Sequence, residues 1–156
     1  MSSDDDFQKT TNEAYTFPAS AGSIKKGDVI LIKDKPCKVV EVTTSKTGKH
    51  GHAKANITAV DIFEDKKAED SVPTSHNVDC VNVKKVEYDL VNLDGEGNTT
   101  LMDDTGEYKE DIVMNPDSDF FKEVMNAFDS GNPVLVTVLS AMGREKIVQY
   151  RQEKKD

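Results

Sequence analysis

The stretch that decides the fold of the first half of the chain is Ser45-Lys46-Thr47-Gly48-Lys49-His50-Gly51-His52-Ala53-Lys54. Two segments rich in β-branched residues flank it, residues 38–44 (KVVEVTT) and residues 55–60 (ANITAV). β-Branched side chains suit the pleated, half-buried surface of a strand. The stretch between them has no apolar residue larger than alanine, and Gly48 and Gly51 permit backbone angles that other residues avoid. The pattern predicts a β-hairpin whose tip presents Lys49 to solvent.

Basic charge is concentrated around this hairpin. No acidic residue lies between Glu41 and Asp61, whereas Lys46, Lys49 and Lys54 fall in that interval. Residues 24–54 contain eight lysines and three acidic residues, although the whole chain has a formal net charge of −9. A phosphate backbone responds to local charge within a Debye length of about 8 Å, so the acidic total does not exclude nucleic acid. A solvated basic turn is the simpler interpretation, but it leaves the glycine-bracketed lysine unexplained.

The pattern along the chain predicts an acidic tail followed by two β-domains. Residues 1–16 are polar and acidic, and they are expected to be disordered because they cannot bury enough apolar area. Residues 17–82 hold four to six short strand patterns and no helical stripe, which favours a small SH3-like barrel carrying the basic hairpin. Within it, Pro36 is expected to close a turn at residues 33–36 and to stop strand extension.

The second domain is expected over residues 83–156. Strand patterns, one of them over residues 107–113, are followed by a change to helical spacing, which places one helix at about residues 118–130. Asp117 or Ser118 is suited to cap its start. The apolar stripe of this helix, interpreted as core, consists of Phe120, Phe121, Val124, Met125 and Phe128. Three strands, a helix and two strands is the order of an OB-fold, so the predicted class is all-β with one helix.

Residues 44–54 closely resemble the modification loop of the eukaryotic translation initiation factor 5A family, the hypusine-containing translation factors. The match is contiguous and unusual in composition. It extends over nearly the whole chain through residues 35–38 (KPCK), 61–63 (DIF) and 140–143 (SAMG). Thr43 stands where serine is common in the family, and Arg144 stands where an acidic residue is frequent; neither lies at the tip.

The resemblance implies a post-translational role for Lys49. This lysine would receive an aminobutyl group from spermidine through deoxyhypusine synthase and then be hydroxylated by deoxyhypusine hydroxylase, giving hypusine. No cofactor other than that group is implied. The residues expected to form the modification loop and to contact RNA are Ser45, Lys46, Thr47, Gly48, His50, Gly51, His52 and Lys54.

The same resemblance implies a translation factor that is not an enzyme. It would bind ribosomal RNA near the exit site and position the acceptor end of the peptidyl-tRNA, which promotes elongation through consecutive prolines and assists termination. A cytoplasmic location follows from this role, and the sequence leaves a nuclear phase open.

Two other classes fit parts of the sequence. A metalloenzyme would use His50 and His52, but a zinc site needs three or four ligands, and the nearby lysines repel a cation. A general RNA-binding β-barrel module is supported by the basic first domain. Its aromatic side chains after Tyr15 are limited to Phe17 and Phe63, which weakens a mechanism based on stacking.

Neither a membrane protein nor a disulfide-stabilised secreted protein is expected. The chain has no apolar run near the ~18 residues that a bilayer span needs, and the acidic start lacks the apolar segment of a secretory signal. Cys37 and Cys80 are the only cysteines, and they are expected to be reduced, packed thiols.

Overall fold

The protein consists of two compact units of antiparallel sheet. In the computed structural model, residues 15–46 and 53–153 are described. The first unit runs to Val83 and takes in Ala141–Gly143, and the second comprises Lys84–Ser140 and continues from Arg144. The predicted all-β class with one α-helix is confirmed for the described residues.

The first unit contains a six-stranded sheet. Its strands are β1 (Thr16–Ser20), β2 (Val29–Ile32), β3 (Lys35–Lys46), β4 (Ala53–Asp61), β5 (Lys67–Pro73) and β6 (Asn77–Val81). A short 3-10 turn, Ala21–Ser23, follows β1. The spatial order is β1-β6-β2-β3-β4-β5, and all the pairings are antiparallel. This is the small barrel-like sheet that the strand patterns predict.

The core of the first unit is formed by alternate residues of β2, β3 and β4. Ile30, Val39 and Ile57 are each no more than 2% exposed. The two cysteines are buried and form no disulfide, and each pairs with Ile30 from a neighbouring strand. Burial raises the pKa of both thiols, so they behave as packed apolar groups rather than as nucleophiles.

The connection between β2 and β3 differs from the predicted turn. Pro36 lies inside β3, opposite Leu31, and the turn itself consists of Lys33 and Asp34. These two residues have φ angles of 51° and 65°, both in the left-handed region that primed two-residue hairpin turns require. The turn is therefore complete before the proline, and the expectation that Pro36 stops the strand was wrong.

The start of the chain is described from Tyr15 onward. Thr16, which the sequence places in the acidic tail, begins β1 and pairs with Val81 of β6. The predicted disorder of residues 1–14 lies outside the described residues.

The second unit contains five strands and the α-helix. Its elements are β7 (Lys84–Leu93), β8 (Thr99–Met102), β9 (Tyr108–Lys109), α1 (Asp119–Asp129), β10 (Val134–Ala141) and β11 (Arg144–Gln152), with strand order β11-β10-β7-β8-β9. The strand predicted at residues 107–113 is shorter than expected, because only β9 and an isolated bridge from Val113 to Asn98 form there. The edge strands β9 and β11 are joined by Lys109 Nζ and Glu145 Oε1, which are 2.9 Å apart.

The helix forms where its periodicity predicts it. Ser118 Oγ accepts a hydrogen bond from the Phe121 backbone N–H at 3.0 Å, so Ser118 is the N-cap. Phe121, Val124 and Ala127 are buried within the core of the second unit. The aromatic stripe is therefore packing surface, as the sequence indicates.

Candidate functional site

The hairpin formed by β3 and β4 carries the candidate site. Its strands pair from Cys37–Asp61 at the base to Lys46–Ala53 at the end. Residues 47–52 join these two strand ends. Six predicted site residues therefore lie outside the described residues: Thr47, Gly48, Lys49, His50, Gly51 and His52. The other three, Ser45, Lys46 and Lys54, are described, and the strand register brings them together.

A β-bulge in β3 sets which side chains face the core. Val39 pairs with Ala59, but the next pair is Glu41 with Thr58, which leaves Val40 as the extra residue. Because side chains alternate along a strand, one extra residue reverses the faces of everything beyond it. Without the bulge, the Glu41 carboxylate would face the core instead of the outer surface. The sequence pattern does not reveal this bulge.

Lys46 and Lys54 lie on opposite faces of the two-stranded ribbon. Lys54 is opposite Ser45, whereas Lys46 is opposite Ala53, and adjacent cross-strand pairs point to opposite faces. Both lysines are exposed. Among the described residues, neither has a carboxylate within ion-pair distance. The end of the hairpin therefore presents positive charge on both sides, which suits an anionic partner that surrounds it.

A ladder of side-chain hydrogen bonds supports the hairpin end on its outer face. Asn56 Nδ2 donates to Ser45 Oγ at 3.1 Å, and Ser71 Oγ donates to Asn56 Oδ1 at 3.0 Å. The ladder crosses β3, β4 and β5. Sequence reasoning missed Asn56 and Ser71; the signal for Asn56 is a polar amide among the β-branched and small residues of positions 55–60.

The base of the hairpin is held by a buried carboxylate. Asp61 is 3% exposed, and its Oδ1 accepts the backbone N–H groups of Phe63 at 2.8 Å and Glu64 at 3.0 Å. The Glu64 carboxylate in turn pairs with Lys35 Nζ at 3.0 Å. The turn after β4 is thus fixed to the start of β3, which leaves the hairpin anchored at one end and exposed at the other.

Two family models cover most of the chain. "Translation initiation factor 5A-like, N-terminal" matches residues 14–76, and "Eukaryotic elongation factor 5A hypusine, DNA-binding OB fold" matches residues 82–151. Eukaryotic translation initiation factor 5A-3 of Arabidopsis thaliana is 44% identical over 153 residues, which span 96% of this chain and 97% of that protein. The chain belongs to the eukaryotic translation initiation factor 5A family. Eukaryotic translation initiation factor 5A-2 of Solanum lycopersicum is 48% identical over 132 residues, or 85% of this chain and 82% of that protein.

Solved structures agree with this family assignment. A translation initiation factor eif-5a family protein from Naegleria fowleri is 48% identical, with a TM-score of 0.79 over 88% of this chain and 99% of that chain. A eukaryotic translation initiation factor 5A from Methanococcus jannaschii is 28% identical, with a TM-score of 0.68 over 87% of this chain and 95% of that chain. As a member of the initiation factor 5A family, the protein is a translation factor, and the family is not a known enzyme family.

The described part of the chain gives little support to a metalloenzyme or to an RNA-binding module based on aromatic stacking. In residues 15–46 and 53–153 no group of three or more His, Cys, Asp or Glu side chains is placed to hold a metal ion, and His50 and His52 lie outside these ranges. Of the two aromatic rings considered for base stacking, Phe63 is 4% exposed and only Phe17, at 47%, is accessible. No helix in these ranges has the length and apolar character that a membrane span requires.

Proposed function

We propose that this translation factor acts through Lys49, carried between the two strand ends of the β3–β4 hairpin and modified to hypusine. The observation that carries the proposal is the pairing of the hairpin up to Lys46 and Ala53, with only residues 47–52 between them. Membership of the initiation factor 5A family supports the modification in general, since the model that matches residues 82–151 is named for hypusine; the choice of Lys49 rests on the resemblance of residues 44–54 to the family's modification loop.

The chemistry of lysine suits this role. Its primary amine can accept the aminobutyl group of spermidine, a reaction assigned to deoxyhypusine synthase, and deoxyhypusine hydroxylase then adds a hydroxyl. The modification roughly doubles the reach of the side chain and adds a second amine. A long, thin, flexible cation can pass between phosphates where the planar fork of arginine cannot.

The ribosome is the proposed partner. Lys46, Lys54 and the neighbouring loop residues contact ribosomal RNA near the exit site, with affinity supplied mainly by phosphate contacts. The modified Lys49 then reaches the acceptor end of the peptidyl-tRNA and favours the geometry in which the peptide bond forms. The ribosome remains the catalyst, and the factor contributes orientation, which matters most for poor substrates such as consecutive prolines and for termination. This activity is cytoplasmic.

The test compares modified protein, unmodified protein and Lys49→Arg in a reconstituted translation system with a polyproline reporter. Mass analysis of the peptide containing Lys49 establishes the modification state of each sample. Only the modified protein should relieve the stall, because arginine keeps the positive charge but lacks the primary amine. A reporter without prolines is the control, and it should be translated equally with all three proteins.

The outcome that contradicts the proposal is full activity of Lys49→Arg or of the unmodified protein. Either result would reduce Lys49 to an ordinary basic loop residue. Circular dichroism and thermal unfolding of the variant exclude a folding defect, and surface substitutions usually alter stability by less than about 0.5 kcal/mol.

A further inference from the structure

The end of the β3–β4 hairpin extends beyond the core of its unit. Along β3, the last core side chain is that of Val42, which is half-buried and packs against the core; along β4, Ala55 is the last buried residue before the end. Ser45, Lys46 and Lys54 are all exposed. On β4 the pairing with β5 continues to Lys54, but among the described residues the end of β3 has β4 as its one neighbouring strand. Backbone pairing on one side alone would leave the end of β3 free to fray, because two-stranded pairing is only marginally stable in water.

One strand of the hairpin end is tethered through its backbone. The Thr74 backbone N–H donates to the Ala53 carbonyl at 2.9 Å, and the Gly22 N–H donates to the Thr74 carbonyl at 3.1 Å. A Cβ added at Gly22 would lie 3.2 Å from the Thr74 Cβ, so these two segments approach closely. The β4 end is thereby connected to the 3-10 turn after β1.

The other strand end is tethered through Asn56. The register places Asn56 directly opposite Thr43 on β3 and Ser71 on β5, with Ser45 as its diagonal neighbour toward the hairpin end. Diagonal neighbours are within reach of a side chain of this size. Within the described residues, the bonds from Ser71 to Asn56 and from Asn56 to Ser45 form the side-chain hydrogen-bond route from β5 to the end of β3.

We propose that Asn56 is a positioning residue for the modification of Lys49: through Ser71 and Ser45 it fixes the strand ends between which Lys49 is carried. This role rests on the proposed function of Lys49. The role proposed for Asn56 is to act through Ser45 and not on the reacting amine itself. It increases the fraction of molecules whose hairpin end is arranged for the modifying enzyme, and the apparent affinity of a partner falls in proportion to that fraction.

The first measurement is residue-resolved amide hydrogen exchange of the free, unmodified full chain. Asn56→Val keeps a strand-compatible shape but removes both hydrogen bonds, and it should speed exchange at the directly paired Ser45 and Lys54 about three-fold to ten-fold. Ser71→Ala removes only the outer bond and should give a smaller change at the same amides. Asn56→Asp keeps an acceptor for both serine hydroxyls and should retain most of the protection.

Thr43→Val is the matched control. Thr43 is exposed, lies directly opposite Asn56 and, in the described part of the chain, has no side-chain hydrogen bond, so its valine variant should exchange like the wild type. Amides of the second unit, such as those of β7 and β8, should be unchanged in every variant. A uniform rise across the chain would indicate global destabilisation and would overturn the positioning role.

The second measurement is steady-state modification by deoxyhypusine synthase with spermidine. Asn56→Val should raise the KM for the protein substrate about three-fold or more while kcat stays within about two-fold, because the bound complex is the same once formed. Unchanged exchange at Ser45 and Lys54 would overturn the proposal, and so would faster exchange with an unchanged KM. If the wild-type chain is not modified at Lys49, the proposed function fails; the exchange data alone then decide whether Asn56 orders the hairpin end.

Discussion

Reversing both Lys46 and Lys54 to glutamate should weaken binding to ribosomes by about thirty-fold or more at physiological salt. The structure supplies the reason: the two lysines are exposed, they occupy opposite faces of the ribbon, and among the described residues neither is neutralised by a carboxylate. Each is therefore available for a separate phosphate contact. Counterion release makes such a contact worth about 1 kcal/mol at physiological ionic strength, so losing two costs ~2 kcal/mol.

The salt dependence of ribosome binding tests this prediction more specifically than the affinity at one salt concentration. Each lost phosphate contact lowers the slope of log affinity against log salt by about one, so the double variant should lose about two units of slope. Consequently the wild type and the variant should differ most at low salt and converge at high salt. The assay is the affinity of labelled, modified protein for purified ribosomes over a salt series.

The matched control carries the same charge change elsewhere. Lys85 and Lys122 are exposed lysines of the second unit, and their double glutamate variant should bind within about three-fold of the wild type. Equal losses in the two double variants would mean that only net charge matters, and the reasoning from the hairpin would be refuted. An unchanged affinity of the Lys46/Lys54 variant at low salt would refute it as well.

Three further predictions concern the framework that supports the site. Asp61→Ala should destabilise the first unit by about 3 kcal/mol, because two backbone donors near the hairpin base lose their acceptor. Asp61→Asn keeps that acceptor and should cost less than half as much. Equal losses of the two variants in denaturant unfolding would contradict this prediction. Ser118→Ala should lower the stability of the second unit by about 1 kcal/mol through loss of the helix cap, with Ser118→Asp as the capped control in thermal unfolding. The hydrogen bond that Lys109 Nζ donates to the Glu145 carboxylate raises the pKa of Lys109 above its ordinary value of 10.5, so the stability that this pair adds is complete below 10.5 and lost as the pH rises through the higher folded value. Glu145→Gln should reduce that alkaline loss in urea unfolding curves, and the remainder is due to Asp111, which also pairs with Lys109. An unchanged pH dependence would contradict a contribution from the Lys109–Glu145 pair.

Local signals in the sequence were sufficient for the elements that depend on local physics. The helix begins after Ser118 because a serine there can accept a backbone hydrogen bond and the apolar residues that follow repeat at helical spacing. The strands of the hairpin were equally clear from their β-branched residues. For the same reason the apolar stripe of the helix was correctly interpreted as core.

The features that the sequence did not reveal depend on partners far away in the chain. β1 contains a proline and few strand-forming residues, and its extended shape is fixed by pairing with β6, more than fifty residues later. The bulge at Val40 has no local signature either, since it is defined only by the register of β3 against β4, which determines the side chains of β3 that face the core. Pro36 is the exception, because it was misjudged for a local reason: the left-handed angles of Lys33 and Asp34 complete the turn without it.

The same distinction explains which part of the site was predictable. A loop rich in lysine and glycine can be recognised from the sequence, because several positive charges without acidic neighbours are unusual in a folded chain. The residues that hold the ends of that loop cannot be recognised in this way. Asn56, Ser45 and Ser71 are ordinary polar residues in the sequence, and only the sheet register shows that they lie side by side. A hairpin that must extend beyond its core to reach a partner cannot be stabilised by burial at its end. Polar contacts across neighbouring strands are what remain to order it, so the residues that position such a site are found from the sheet register rather than from the sequence of the loop.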